Sequence, residues 1–140
     1  MSMSSQPIPG LSVFIISRDE ADRIGETLRA IQGLASEVVV VESGSTDETV
    51  AVAQAAGARV ISQEWLGYGR QKRLGEDRCA GPWLLNLDAD EVVPPALADE
   101  IRELFAHGEP PHAAYNVHIA EQFPGQSKPG RFAYGPTPVR

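Results

Sequence analysis

Two aspartates, Asp88 and Asp90, flank Ala89 directly after the apolar run Trp83-Leu84-Leu85-Asn86-Leu87. In extended backbone, residues two apart point to the same side, so both carboxylates can converge on one point. Two anions so placed repel each other unless a cation joins them. Oxygen donors suit Mg²⁺ or Mn²⁺, and Mg²⁺ usually takes only one or two protein carboxylates, completing its shell with substrate phosphate and water. A cation bridging a diphosphate would neutralise the charge that grows as a nucleoside diphosphate departs. The plainer reading is a polar turn leading into Pro94-Pro95. Glu42 likewise follows Val38-Val39-Val40-Val41, where its carboxylate can accept a hydrogen bond from a heterocycle N–H or a ribose hydroxyl. Gly44 permits close backbone approach, and the amides at a helix start favour an anion. The alternative is that Ser45 to Glu48 simply cap a helix. A third polar group, Ser17-Arg18-Asp19-Glu20, follows the first apolar run.

The elements that must position these residues alternate along the chain. Strands are expected at 11–16, 38–41, 60–61 and 83–87. Ser17 or Asp19 is placed to cap a helix whose buried stripe is Ala21, Ile24, Leu28 and Ile31, with Gly33 as its stop. Ser45 and Glu48 have capping-box spacing for a helix starting near Thr46, passing Val50, Ala53 and Ala56, and ending at Gly57. Trp65-Leu66-Gly67-Tyr68-Gly69 reads as a loop, and residues 70–79 as a helix interrupted by Gly75. Trp65 and Tyr68 can stack on a base or sugar, or pack beneath the loop. Pro94-Pro95 introduces a helix with the stripe Leu97, Ile101, Leu104 and Phe105, ended by Gly108. Tyr115, Val117 and Ile119 alternate with polar or small residues as in a half-buried strand. This order predicts a three-layer α/β/α fold with a mostly parallel sheet, and ligands in such sheets bind beyond the carboxyl ends of the strands. Three strand ends carry the three polar groups.

The chain has 140 residues, with 12 basic and 19 acidic side chains and one cysteine. That length suits one compact domain. The expected division is a tail at 1–9, a domain at 10–121, and a Gly- and Pro-rich segment at 122–140. The net charge of −7 argues against nucleic-acid binding, which demands a basic surface. Cys79 alone makes neither an internal disulfide nor a cysteine-cage zinc site. No apolar run approaches the ~20 residues of a membrane span, and the N-terminus lacks a signal-like core, so a cytoplasmic protein is expected. His107, His112 and His118 lack the spacing of a zinc site. Glu100 and Glu103 read as solvated helix positions and Glu121 has no distinguishing context, so no catalytic base is assigned.

Residues 11–20, Val40-Val41-Glu42-Ser43-Gly44-Ser45-Thr46-Asp47-Glu48-Thr49 and Leu85-Asn86-Leu87-Asp88-Ala89-Asp90-Glu91 together resemble the inverting family 2 glycosyltransferases, which have the GT-A nucleotide-sugar fold. Gly67-Tyr68-Gly69-Arg70-Gln71-Lys72 resembles the branch that adds glucose to the lipopolysaccharide inner core. The resemblance implies that Ser17 and Arg18 lie beside the nucleotide base and that Glu42, where many members carry Asp, binds base or ribose. It implies that Lys72 approaches base or diphosphate, with Arg70 and Arg73 raising the local potential. Arg73 departs from the Asn expected in that branch. Asp88 would contact ribose or metal-bound water, and Asp90 would ligate Mg²⁺ or Mn²⁺ directly. The implied reaction is metal-dependent, inverting transfer of a hexose, favouring UDP-glucose as donor, to a glycan or lipid-linked acceptor. The implied location is cytoplasmic, including the cytoplasmic face of the membrane. Family members continue well past the D-x-D strand into an acceptor-binding half that carries the base, so the chain reads as a truncated, donor-binding part. The alternatives are a nucleotidyltransferase, which would be expected to carry a glycine-rich basic loop after the first strand, or a non-catalytic nucleotide-binding module.

Overall fold

A computed structural model of the chain describes residues 6–117. Four strands and four helices follow in the order β1 (Ile8–Ser17), α1 (Ala21–Ala30), β2 (Ala35–Glu42), α2 (Thr49–Ala55), β3 (Arg59–Ser62), α3 (Tyr68–Arg78), β4 (Trp83–Asp88) and α4 (Pro95–Leu104). All the strand pairings are parallel, and the sheet order is β3-β2-β1-β4. The expected class is therefore the one observed.

The two strands at the sheet's centre explain the layering. Val13 and Ile15 of β1 and Val40 of β2 are fully buried and pack with Ile24 and Leu28 of α1, Ala53 of α2 and Ile101 of α4. Their neighbours in sequence, Phe14, Val39 and Val41, point to the other face and meet Leu74 of α3. A strand covered on both faces must be apolar at every position, which is why these runs lack alternation. Each such side chain contributes about 1.5–3 kcal/mol on burial, enough to fix the strand register. No described helix is long and apolar enough to cross a membrane.

Several boundaries differ from expectation. β1 begins at Ile8, inside the presumed tail, because the Ile8 amide donates to the Leu34 carbonyl at 2.8 Å. α2 starts at Thr49, three residues later than expected, and no side chain of its own caps it. α3 runs unbroken through Gly75, whose missing Cβ leaves room for the Phe14 ring; a Cβ there would lie 2.8 Å from Phe14 Cδ2. Leu104 is exposed rather than buried, while Phe105 meets Trp83 edge-to-face at 5.6 Å.

The sheet-bearing unit extends to Glu109, and a separate unit begins at Pro110. In its described part, Asn116 forms an isolated bridge in place of the expected strand, and Tyr115 meets His112 edge-to-face. Ile119 and the 122–140 segment lie outside the described residues.

Candidate functional site

The carboxyl ends of three neighbouring strands form one continuous edge. Ser17 pairs in register with Glu42, Ile16 with Asp88, and Glu42 with Ser62. At the usual strand spacing of about 4.8 Å, the polar groups after β2, β1 and β4 share one rim of the sheet. Glu42 and Asp88 are thus brought to the same side of the molecule.

The loops after β1 and β2 are stitched together. The Asp19 amide donates to Ser45 Oγ at 3.0 Å, Glu20 N to Thr49 Oγ1 at 2.9 Å, and Ala21 N to Asp47 Oδ2 at 3.2 Å. In return, Asp19 Oδ1 accepts from the Thr46 amide at 2.7 Å. The first orphan amides of α1 are therefore satisfied from the opposite loop, not by Ser17 or Asp19 as the spacing suggested. The Ser45–Glu48 capping box is also absent: Ser45 faces Asp19, and Asp47 Oδ1 takes the Thr49 amide at 2.9 Å. Asp19 adopts φ 52°, an unusual conformation that Asp tolerates better than most residues. The Thr49 hydroxyl, together with amides of Thr49 and Ala21, holds the Asp47 carboxyl below the usual carboxylate range, against a smaller desolvation effect.

Glu42 is only 5% exposed, and both its oxygens are engaged. Oε1 accepts from Gly44 N and Ser62 Oγ, each at 3.3 Å, and Oε2 accepts from Ser45 N at 2.9 Å. The carboxylate thus shapes its own turn, with about one lone-pair site of four left over. Gly44 has φ +80° and no atom of the described residues within 4 Å of its would-be Cβ, so the backbone there is open to close approach. Ser17 is buried, and among the described residues its Oγ has no hydrogen-bond partner. Arg18 is exposed, its Nε 4.0 Å from Asp19 Oδ2.

After β4 the backbone is fixed from α1. The Ala89 carbonyl accepts from the buried Thr27 hydroxyl at 2.6 Å, and the Asp88 amide donates to Glu91 Oε1 at 2.7 Å. Asp90 projects at the surface, where Arg23 Nη1 lies 3.4 Å from its Oδ2. Among the described residues no three His, Cys, Asp or Glu side chains gather as a metal cluster. Asp88 ends β4 while Asp90 lies in the turn beyond it, not in the extended backbone that the spacing suggested, and the two carboxylates are a partial, all-oxygen donor set. That fits a Mg²⁺ or Mn²⁺ ion sharing its shell with phosphate and water, and does not fit a four-ligand zinc site.

Lys72 lies half-buried in α3, which starts from the β3 end of the same rim. Among the described residues no hydrogen bond or ion pair joins it to Glu42 or Asp90. Its neighbour Gln71, to which residue pattern assigns no role, is fully buried: Nε2 donates to the Gln63 carbonyl and Oε1 accepts from the Leu66 amide, both at 3.2 Å. The available signal was a polar residue one helical turn before Gly75, both on the buried face. Arg23 and Thr27, four apart on α1, were missed in the same way.

The sequence profile of glycosyl transferase family 2 matches residues 12–137. An uncharacterized glycosyltransferase of Rickettsia felis is 42% identical over 124 residues, covering 88% of this chain and 44% of the relative. The lipopolysaccharide core biosynthesis glycosyltransferase LpsC of Rhizobium meliloti is 40% identical over 101 residues, covering 69% of this chain and 37% of the relative. Among solved structures, glucosyl-3-phosphoglycerate synthase of Mycobacterium tuberculosis, in complex with Mn²⁺, UDP and glucosyl-3-phosphoglycerate, superposes with a TM-score of 0.57 at 27% identity over 71% of this chain and 40% of that one. The chain spans less than half the length of these relatives. With this parallel sheet and its polar rim, the chain has the GT-A fold and belongs to glycosyltransferase family 2.

Proposed function

We propose that the rim formed by β2, β1 and β4 binds a nucleoside-diphosphate sugar, with UDP-glucose the favoured donor, as the donor-binding part of a hexosyltransferase. The observation that carries this reading is the strand register, which sets Glu42, Ser17 and the Asp88–Asp90 turn along one edge. The names of two relatives add support: one is a glucosyl-3-phosphoglycerate synthase seen with UDP and Mn²⁺, the other a lipopolysaccharide core enzyme. For the acceptor, the lipopolysaccharide core relative favours a glycan or lipid-linked molecule.

In this reading Ser17 and Arg18 lie beside the base, and the backbone at Gly44 comes close to the ribose. Glu42 offers its remaining acceptor site to base or ribose while keeping the turn in shape. Lys72 supplies positive potential toward the base or diphosphate. Asp90, with Asp88 behind it, would hold Mg²⁺ or Mn²⁺, and that ion would offset the negative charge of the departing diphosphate. The acceptor hydroxyl attacks the anomeric carbon opposite the leaving group, so configuration inverts. The proton on that hydroxyl requires a general base, a role we assign to none of the described residues.

Calorimetry of the 140-residue chain against UDP, with and without Mn²⁺, tests the reading. Binding of UDP that strengthens with Mn²⁺ is expected, and Asp90→Asn should abolish the Mn²⁺ increment while leaving the melting temperature nearly unchanged. No UDP binding under either condition would overturn the reading.

A further inference from the structure

The segment after β3 exposes apolar surface that the fold does not require. Trp65 is 48% exposed, Leu66 43% and Tyr68 73%, and the two aromatic rings meet edge-to-face at 4.8 Å. Contiguous exposed aromatics signal a contact made with something else. The loop is also rigidly built. The fully buried Gln71 spans it, bonding Gln63 at one end and Leu66 at the other. Its first residues sit on the strand end that carries Glu42, because Gln63 N donates to the Glu42 carbonyl at 2.9 Å and Ser62 Oγ reaches Glu42 Oε1.

From this placement we infer that Trp65 and Tyr68 form an L-shaped wall for the nucleobase of the donor: the rings are perpendicular, so one stacks on the base and the other meets its edge. The inference rests on the donor-binding reading above and extends it to residues outside the polar rim. The sheet order decides which end of the ligand they meet. Asp90 follows β4 at one side of the sheet, whereas the aromatic pair follows β3 at the other, three strand intervals or about 14 Å away. A nucleotide lying across the rim with its diphosphate at Asp90 directs its base toward β2 and β3. The transferred sugar and the acceptor belong at the Asp90 end, so the aromatic pair does not face them. Stacking tolerates any base, so the wall adds affinity and leaves the choice of base to Glu42 and Ser17.

An anionic lipid surface is the competing occupant, since Arg70, Lys72 and Arg73 lie close by in sequence. The charges disfavour it. Arg73 Nε already faces Asp77 Oδ1 at 3.3 Å, and the chain carries a net −7. One short loop with three apolar side chains falls short of the two signals that stable anchoring takes.

The test measures UDP and pyrophosphate binding, both with Mn²⁺, for the 140-residue chain and for Trp65→Ala, Tyr68→Ala and Trp65→Phe. Each alanine variant should weaken UDP binding on the order of tenfold and leave pyrophosphate unchanged, and Trp65→Phe should restore most of the loss. UDP affinity unchanged in both alanine variants would overturn the wall while leaving the donor site standing. Equal loss of UDP and pyrophosphate would also overturn it, as would co-sedimentation with vesicles of phosphatidylcholine and phosphatidylglycerol that depends on Trp65 while UDP binding does not. If the unaltered chain binds pyrophosphate but not UDP, the donor reading itself fails and the wall with it.

Discussion

Asp90 is engaged by a cation of the chain itself before any metal arrives. Arg23 Nη1 lies 3.4 Å from Asp90 Oδ2, with both side chains at least half exposed. Exposed pairs of this kind are worth about 0–1 kcal/mol, so in the proposed site the guanidinium would temper metal binding without preventing it. Arg23→Gln removes both the competing partner and a nearby positive charge. Mn²⁺ affinity, read by the loss of free-ion electron paramagnetic resonance signal without nucleotide, should rise up to about fivefold; unchanged or weaker binding would contradict the assignment. Asp47 gives a second expectation at this scale. Its folded-state pKa is depressed, chiefly by the Thr49 hydroxyl. Its contribution to stability is therefore present above the ordinary carboxylate pKa and lost as pH falls through the lower folded value. Asp47→Ala should lower the melting temperature at pH 7, with the difference from the parent chain closing once both states are protonated in strong acid.

The elements were more legible than their ends. Continuous aliphatic runs such as Val38-Val39-Val40-Val41 admit little but a strand covered on both faces, and β2 is one. The helix starts were misread because capping rules are local, whereas α1 is capped by Asp47, 26 residues downstream of Ala21. Helix propensity alone makes Gly75 an interruption, yet the approach of Phe14 requires a glycine there and the helix continues through it. Gly75→Ala should be destabilising despite alanine's better helix propensity. The propensity gain is about 1 kcal/mol, against an overpacking cost of about 1–3 kcal/mol. Chemical denaturation of Gly75→Ala, Phe14→Leu and the double variant should show the two changes offsetting each other in part. Additive losses would count against the contact.

For the molecule as a whole, parallel direction followed from the alternation of strands and helices, and so did the gathering of polar groups at one rim, whereas the order β3-β2-β1-β4 did not. Glu42 and Asp88 were legible because each ends an apolar run. Gln71, Arg23 and Thr27 were not, since their roles depend on partners 5 to 67 positions away. The opposite rim is occupied by a different network, in which Glu37 Oε2 accepts from Ala80 N at 3.0 Å and Ser12 Oγ at 3.4 Å, and Gly81 N donates to Ser12 Oγ at 3.0 Å. Beside it, burial and the Glu37 charge push the Cys79 thiol up to about 11. At neutral pH that thiol stays protonated, so alkylation by iodoacetamide at pH 7.5 should be far slower than for a free cysteine. Rapid modification of the folded chain would show the thiol to be less perturbed.

The reciprocal bonds between the Asp19 and Asp47 loops also bear on how the chain opens. Because Ala21 leans on Asp47 while Thr46 leans on Asp19, neither helix start can fray without releasing the other. Amide protons at Asp19, Glu20, Ala21 and Thr46 should therefore exchange with deuterium at a shared rate, as one cooperative latch whose loss costs the molecule two helix beginnings in a single event.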